Sequence, residues 1–137
     1  MERTTVQDVQ IIDIPIAHDV RGNLAVVEKE TIPFEIQRVY YLFDVPSNSH
    51  RGGHAHRALR QCIIALSGSF DVVLDDGRNK ERITLNSPTQ GLILPTGIWR
   101  ELEHFSEGAV CLVLASDTFD EGDYIRDYKT FLKEKLV

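Results

Sequence analysis

The pair of histidines at positions 54 and 56 constrains the fold of this chain more than any other feature of its sequence. Ala55 stands between them, and the run continues to Gln61 and Gly68. Side chains alternate between the two faces of a β-strand, so His54 and His56 share one face. The spacing therefore predicts a strand that presents two imidazoles to a common site.

A second motif, Pro95-Thr96-Gly97-Ile98-Trp99-Arg100, strengthens this prediction. The two motifs together resemble the signatures HxH-x4-E-x6-G and PxG-x2-H of the metal-binding cupin barrels. Gln61 stands here in place of the glutamate ligand and Arg100 in place of the last histidine. An amide is a poorer metal ligand than a carboxylate, and a guanidinium has no lone pair to donate. We therefore expect a cupin barrel that holds no metal and needs no cofactor.

Short strands broken by turn signals run along most of the chain, as in an all-β sandwich or barrel. The helical spacing of apolar residues over Asp123–Leu136 predicts one C-terminal helix. The predicted fold class is all-β, a cupin or jelly-roll barrel with a short C-terminal helix. The predicted strands are Val9–Ile14, Leu24–Glu28, Arg38–Phe43, Gly53–Ala58, Gln61–Ser67, Ser69–Leu74, Glu81–Leu85, Gly91–Leu94, Trp99–Glu103 and Val110–Ala115.

Length and charge restrict the function classes. At 137 residues the chain is expected to form one domain, residues 1–137. It contains no apolar stretch near the about 20 residues of a membrane span, and its first residues do not resemble a signal peptide. We expect a cytoplasmic protein without a membrane partner. The net charge of −6 argues against nucleic acid as a partner.

The charge is nevertheless unevenly distributed. Between Arg38 and Arg60 there are four arginines, three histidines and a single acid, Asp44. Such a segment suits an anionic small molecule, for example one with a diphosphate. Within it, Arg38, Tyr40 and Leu42 alternate with Val39, Tyr41 and Phe43. One of the two sets faces the inside of a barrel, where Tyr40 either lines a pocket or packs in the core with its hydroxyl bonded locally.

Several segments together resemble the nucleotide-sugar 3,4-ketoisomerases. The resemblance extends over nearly the whole chain, and its segments are Ile32–Tyr41, Arg51–His56, Leu66–Ser69, Leu114–Asp117 and Tyr124–Tyr128. It implies conversion of dTDP-4-keto-6-deoxy-D-glucose to a 3-keto-6-deoxyhexose, which an aminotransferase then uses to make 3-amino-3,6-dideoxy sugars of surface glycans. It also implies a metal-free enzyme and a homodimer with exchanged N-terminal strands.

Moving a ketone from C4 to C3 requires a base near neutral pKa and donors for an enediolate, and no redox cofactor. Histidine titrates near pH ~6.5, which suits this proton transfer, so His54 and His56 are the expected proton-transfer residues. Oxyanion or hydroxyl contacts are expected from Tyr40, Arg51 and Arg100. The remaining expectations are Arg51 and Arg38 for the diphosphate, Gln61 as a further substrate contact, Trp99 as an apolar wall, and Arg21 with Arg100 as determinants of the C4 face.

Three other functions stay open at the level of sequence. A dTDP-sugar 3,5-epimerase shares the expected substrate and fold class but leaves the ketone in place. A metal-dependent cupin such as a dioxygenase conflicts with Gln61 and Arg100. A non-catalytic sugar-nucleotide-binding cupin would bind the ligand without exchanging its C3 or C4 hydrogens.

Overall fold

The computed structural model describes residues 1–136, which form two five-stranded antiparallel sheets and a separate hairpin. No helix in this part of the chain is long and apolar enough to cross a membrane. The strands are β1 (Gln10–Asp13), β2 (Ile16–Asp19), β3 (Gly22–Ala25), β4 (Arg38–Leu42), β5 (Arg51–His56), β6 (Gln61–Ser67), β7 (Phe70–Asp75), β8 (Lys80–Leu85), β9 (Gln90–Leu94), β10 (Trp99–Glu103), β11 (Val110–Ala115) and β12 (Tyr124–Ile125). The α-helix is α1 (Tyr128–Lys135), and single turns of 3-10 helix cover Val6–Asp8, Lys29–Thr31 and Glu121–Asp123.

The two sheets enclose the main hydrophobic core. Their strand orders are β1-β9-β6-β11-β4 and β12-β5-β10-β7-β8, while β2 and β3 pair only with each other. The inner faces of both sheets supply fully buried side chains such as Ile63, Phe70, Leu74, Leu92 and Val113. Sheet-on-sheet packing of this kind buries one face of each strand. The structure thus confirms the predicted all-β class.

All ten predicted strands have counterparts in the structure, and β6, β10 and β11 match their predicted bounds. The sequence prediction missed β2 and β12. β2 follows Pro15 and pairs with β3 in an exposed hairpin, so no buried face gives it a readable pattern. β12 contains only two residues and forms by adding to the edge of β5.

The predicted helix over Asp123–Leu136 begins too early. The Asp127 side chain accepts a hydrogen bond from the backbone N–H of Thr130, which makes Asp127 the N-cap. Upstream of this cap, Tyr124 and Ile125 pair with His56 and Ala55 of β5. The apolar periodicity of the helix continued into a segment that tertiary pairing makes extended. As a result, Asp123 and Tyr124 lie beside the two histidines.

Candidate active site

His54 and His56 project from the inner face of β5 and contact each other. Their Nε2 atoms are 3.1 Å apart, and their rings are nearly perpendicular. Both side chains are buried. Burial and the nearby Arg100 lower the pKa of His54 to about 2 and that of His56 to about 4. Both imidazoles are therefore neutral at neutral pH, and in this ligand-free structure each is a weaker base than the near-neutral histidine expected from the sequence.

Arg100 lies directly across from the histidine strand. β10 pairs with β5 so that Arg100 opposes His54, and its Nη2 lies 3.2 Å from His54 Nε2 and 3.2 Å from the Tyr40 hydroxyl. The side chain is 2% exposed, and its Nε and Nη1 have no hydrogen-bond partner among the described residues. A buried cation with unpartnered donors is costly. Its donors are thus free for an anionic group of a ligand.

A bulge in β5 makes room for this guanidinium. The register between β10 and β5 shifts between Arg100–His54 and Leu102–Arg51, which leaves an extra residue in β5. Gly52 in this segment has φ +72°, and a Cβ there would lie 3.3 Å from Arg100 Nη1. Bulges often re-aim side chains beside active sites. Here the glycine allows the guanidinium to pack against the backbone.

Tyr40 and Gln61 extend the polar cluster into the other sheet. Gln61 Nε2 donates to the Tyr40 hydroxyl at 3.1 Å, and the Arg38 guanidinium lies 5.2 Å from the centre of the Tyr40 ring. The side-chain oxygen of Gln61 is buried and has no partner among residues 1–136. Of the two sequence alternatives for Tyr40, the structure places it at a pocket, since Tyr40 lines the cavity described next.

A cavity of about 280 Å³ opens beside these residues. Four arginines line it, from four different parts of the chain: Arg38, Arg51, Arg100 and Arg126. No acidic side chain is among its lining residues, although the whole chain carries a net charge of −6. His54, Tyr40 and Tyr124 complete the polar wall. Such a concentration of guanidinium groups favours a phosphorylated or otherwise anionic ligand.

Two residues expected in the site from the sequence lie elsewhere. Trp99 projects from the face of β10 opposite to Arg100, because adjacent strand residues alternate. It is buried against Ala55, Ile125 and Phe131 beneath α1 and forms no wall of the cavity. Arg21 lies at the tip of the β2–β3 hairpin and pairs with Asp19 at 2.8 Å. Its side chain is exposed and does not line the cavity of its own chain.

The comparisons with known proteins agree with this arrangement. A family model named FdtA and described as "WxcM-like, C-terminal" matches residues 7–136. A curated relative from Aneurinibacillus thermoaerophilus, TDP-4-oxo-6-deoxy-alpha-D-glucose-3,4-oxoisomerase, is 46% identical over 125 residues, which cover 90% of each chain. The chain belongs to the sugar-nucleotide 3,4-ketoisomerase family.

Solved structures of 3,4-ketoisomerases share the whole fold. The enzyme from Helicobacter canadensis is 45% identical with a TM-score of 0.92, over 95% of this chain and 98% of that one. A His-to-Asn variant of the enzyme from Thermoanaerobacterium thermosaccharolyticum, in complex with TDP-4-keto-6-deoxyglucose, is 39% identical with a TM-score of 0.93, over 96% of each chain. The Mycobacterium tuberculosis rmlC epimerase is only 14% identical, with a TM-score of 0.74 over 88% of this chain and 69% of that one, and shares the fold alone. These likenesses confirm the predicted cupin fold.

The donor set of this 3,4-ketoisomerase does not fit the divalent cation that metal-binding cupins hold. Arg100 Nη2 lies within 3.2 Å of His54 Nε2, so a metal ion on that nitrogen would sit against a fixed positive charge. Gln61 offers only a neutral amide oxygen, and no cluster of three or more histidine, cysteine or acidic side chains within residues 1–136 has a metal-binding arrangement.

Sequence reasoning missed three residues of the 3,4-ketoisomerase site. Asp123 accepts a hydrogen bond from His56 Nδ1 at 2.9 Å. The centre of the Tyr124 ring lies 4.4 Å from the centre of the His56 ring and 4.9 Å from that of His54. The Arg126 guanidinium lies 4.2 Å from the centre of the Tyr124 ring and lines the cavity. All three residues fell inside the predicted helix Asp123–Leu136. The family resemblance over Tyr124–Tyr128 included Tyr124 and Arg126, and no sequence signal pointed to Asp123.

Proposed function

We propose that this chain converts dTDP-4-keto-6-deoxy-D-glucose into a dTDP-3-keto-6-deoxyhexose. The observation that carries the proposal is the neutral histidine pair beside a buried, unpartnered Arg100 in a cavity lined by arginines. The names of the curated relative and of the substrate complex supply the sugar nucleotide.

The reaction is an isomerisation in which atoms and electrons balance within the substrate. A histidine takes the C3 proton, and the electron pair of the C3–H bond forms the enediolate. A proton is then delivered to C4, and the proton that leaves the C3 oxygen is taken up by the C4 oxygen, so that C3 becomes the ketone and C4 the alcohol. His54 lines the cavity and is the residue best placed to take the C3 proton. Acid–base catalysis of this kind contributes about 10²–10⁴ in rate.

Arg100 and Tyr40 stabilise the oxyanion that develops during this transfer. The unpartnered Nε and Nη1 of Arg100 are buried donors, and such donors act strongly where water is excluded. The Tyr40 hydroxyl already lies 3.2 Å from Arg100 Nη2. Gln61 holds this hydroxyl through its amide nitrogen.

The diphosphate of the nucleotide binds to Arg51 and Arg38, with Arg126 as a third cation. Guanidinium groups bind phosphate through paired hydrogen bonds. Arg51→Ala should raise the Kd for dTDP at least about tenfold, or ~1.4 kcal/mol, as measured by calorimetry. Arg78→Ala is the matched control, since Arg78 is exposed and lines no part of this cavity. Unchanged dTDP affinity in both Arg51→Ala and Arg38→Ala would contradict this placement.

The functional unit in this proposal is a homodimer with exchanged N-terminal strands. In the single chain, β1 pairs with β9 and forms one edge of its sheet. In the exchanged dimer, β1 of one subunit would pair with β9 of the other. Exposed edges invite such pairing. The outward face of β4 supports the proposal, because Val39, Tyr41 and Phe43 are each more than half exposed. In a dimer, the hairpin that carries Arg21 could approach the partner's cavity, which would give Arg21 the role in setting the C4 face expected from the sequence.

Incubation with dTDP-4-keto-6-deoxyglucose in deuterated water, followed by NMR of the sugar, tests the activity. The proposal predicts a 3-keto product with deuterium at C4. A 3,5-epimerase would exchange the C3 and C5 hydrogens and leave the ketone at C4. A non-catalytic binding protein would leave both the ketone and the hydrogens unchanged. Either of these two results would overturn the proposed function.

The histidine variants refine the same experiment. His54→Asn and His56→Asn should each reduce turnover at least about 10²-fold while dTDP still binds, because the arginines hold the nucleotide. If both variants keep more than about a tenth of wild-type turnover, a loss below that of general acid–base catalysis, the two histidines are not the proton-transfer residues.

A further inference from the structure

A chain of hydrogen-bond distances runs behind the cavity from Asp123 through both histidines to Arg100. Asp123 Oδ2 lies 2.9 Å from His56 Nδ1, and His56 Nε2 lies 3.1 Å from His54 Nε2. His54 Nε2 lies in turn 3.2 Å from Arg100 Nη2. His54 lines the cavity of about 280 Å³, whereas His56 and Asp123 line a smaller neighbouring cavity of about 60 Å³, and Arg38 and Tyr124 border both. The histidines therefore occupy different positions, with His54 in the larger cavity and His56 in the smaller one.

The protons on this chain can be counted. Asp123 also accepts hydrogen bonds from the backbone N–H groups of Ala58, at 2.7 Å to Oδ1, and of Leu59, at 3.2 Å to Oδ2. Both of its oxygens are therefore acceptors, and the hydrogen shared with His56 belongs to His56 Nδ1. A neutral imidazole carries one N–H, so His56 Nε2 is bare. The hydrogen between the two rings then belongs to His54 Nε2, so the 3.2 Å contact between that nitrogen and Arg100 Nη2 is not a hydrogen bond in this state.

We propose that Asp123 is a positioning residue that fixes His56 in the Nδ1-protonated tautomer, so that the bare Nε2 of His56 can accept a proton from His54 during turnover. This inference rests on the proposed function for its catalytic consequence. When His54 takes the C3 proton on Nδ1, its Nε2–H bond breaks and that proton moves to His56 Nε2. His56 becomes an imidazolium that donates to Asp123 and to His54, and His54 is neutral again. The reverse transfer returns the proton to His54 Nε2, and the Nδ1–H of His54, once exchanged with solvent, supplies the hydrogen for C4.

The electrostatics of the site favour this direction. Burial and Arg100 lower the pKa of both histidines, Arg126 further lowers that of His54, and Arg38 further lowers that of His56. Asp123 acts in the opposite sense on His56, through the hydrogen bond and through its charge. A positive charge is therefore better tolerated on His56 than on His54. Once His54 Nε2 has lost its hydrogen, its lone pair also faces Arg100 Nη2, which can only donate.

A purely structural role for Asp123 would be to hold the loop that contains Ala58 and Leu59. Asp123→Asn separates the two roles, because the two oxygens of the carboxylate have different main partners. The Asn carbonyl can still accept from Ala58, and the amide NH₂ then donates to His56 Nδ1. This forces the hydrogen of His56 onto Nε2, where it meets the N–H of His54. The shape of the side chain and the 2.7 Å loop contact with Ala58 are retained, whereas the longer contact from Leu59 N–H, at 3.2 Å, is lost.

The first experiment reads the tautomer by ¹⁵N NMR of histidine-labelled protein and needs no substrate. Wild-type His56 should be protonated on Nδ1, and Asp123→Asn should shift that proton to Nε2. A wild-type His56 protonated on Nε2 overturns the proposal even if every Asp123 variant fails to fold. This readout is independent of the proposed activity, so an inactive wild-type protein would sink the proposed function and leave the tautomer test intact.

The second experiment measures turnover, KM and Tm of Asp123→Asn. We expect kcat to fall by about 10²–10⁴, the contribution of a general acid–base group, with KM and Tm close to wild type. Asp120→Asn is the matched control, because Asp120 caps the same short turn by accepting from Gly122 N–H at 2.9 Å. It should keep wild-type turnover. Asp123→Asn with near wild-type kcat, or with a low kcat that is accompanied by an unchanged tautomer, contradicts the proposal.

Discussion

At the residue scale, Arg100 combines a cost in stability with a role in catalysis. A buried guanidinium with two unpartnered donor atoms is destabilising in the ligand-free protein. We expect Arg100→Met, which replaces the guanidinium and its stem by a shorter, unbranched and uncharged side chain, to raise the free energy of unfolding by about 1–3 kcal/mol. Its turnover should fall about 10²–10³-fold, as when an oxyanion donor is removed. Thermal unfolding and product NMR of one preparation check both effects. A lower Tm in Arg100→Met would show that the free protein does not bear this cost.

The buried histidines also predict how stability depends on pH. Their folded-state pKa values, about 2 for His54 and about 4 for His56, lie below the value near 6.5 of an unfolded histidine. Between pH 6.5 and 4 the unfolded chain binds protons that the folded protein does not, so stability falls as the pH falls. The slope approaches about 1.4 kcal/mol per pH unit for each histidine.

Denaturant unfolding between pH 7 and 5 measures this loss, with the His54→Asn, His56→Asn double variant as control. The window lies above the range in which most carboxylates titrate. The wild type should lose stability more steeply than the double variant. Equal slopes would mean that the two histidines bind as many protons in the folded protein as in the unfolded chain across this range.

At the scale of the elements, the bulge in β5 positions Arg100. Gly52 and Gly108 have nearly the same left-handed backbone, φ +72° and +74°, yet a Cβ on Gly108 would meet nothing within 4 Å. Alanine at either position should lower the free energy of unfolding by about 1–2 kcal/mol, because a Cβ disfavours the left-handed conformation. Only Gly52→Ala should also displace the guanidinium and reduce kcat. Chemical denaturation and turnover of both variants test this. Equal activity of the two variants would show that the bulge does not position Arg100.

At the scale of the whole molecule, the exposed apolar face of β4 predicts self-association. Light scattering of the wild-type protein at micromolar concentration should give a molecular mass twice that of one chain, which is 15.6 kDa. Tyr41→Glu places a charge on this face and should shift the mass towards that of the monomer. Lys129→Glu, an exposed change on α1, is the control and should remain dimeric. A wild-type mass of one chain would refute the dimer.

The local part of the site could be predicted from the sequence. The two-residue period of a strand places His54 and His56 on one face whatever the rest of the chain does. The spacing to Gln61 and Arg100 indicated that a metal-binding arrangement had been replaced, and turn signals located most strands. The shared face and the strands were confirmed because they depend on residues close together in the chain.

Only the tertiary structure decided what lies around that face. Asp123 and His56 are 67 positions apart in sequence, and they form a hydrogen bond because β12 adds to the edge of β5. No local pattern distinguishes the two residues of β12, Tyr124 and Ile125, from the start of the helix that follows. Trp99 and Arg100 are neighbours in sequence, and alternation separates them without saying which one faces the cavity. The pairing of β10 with β5 and the packing of α1 on Trp99 settle it. Sequence by itself determined which residues share a face, and long-range pairing decided which faces meet.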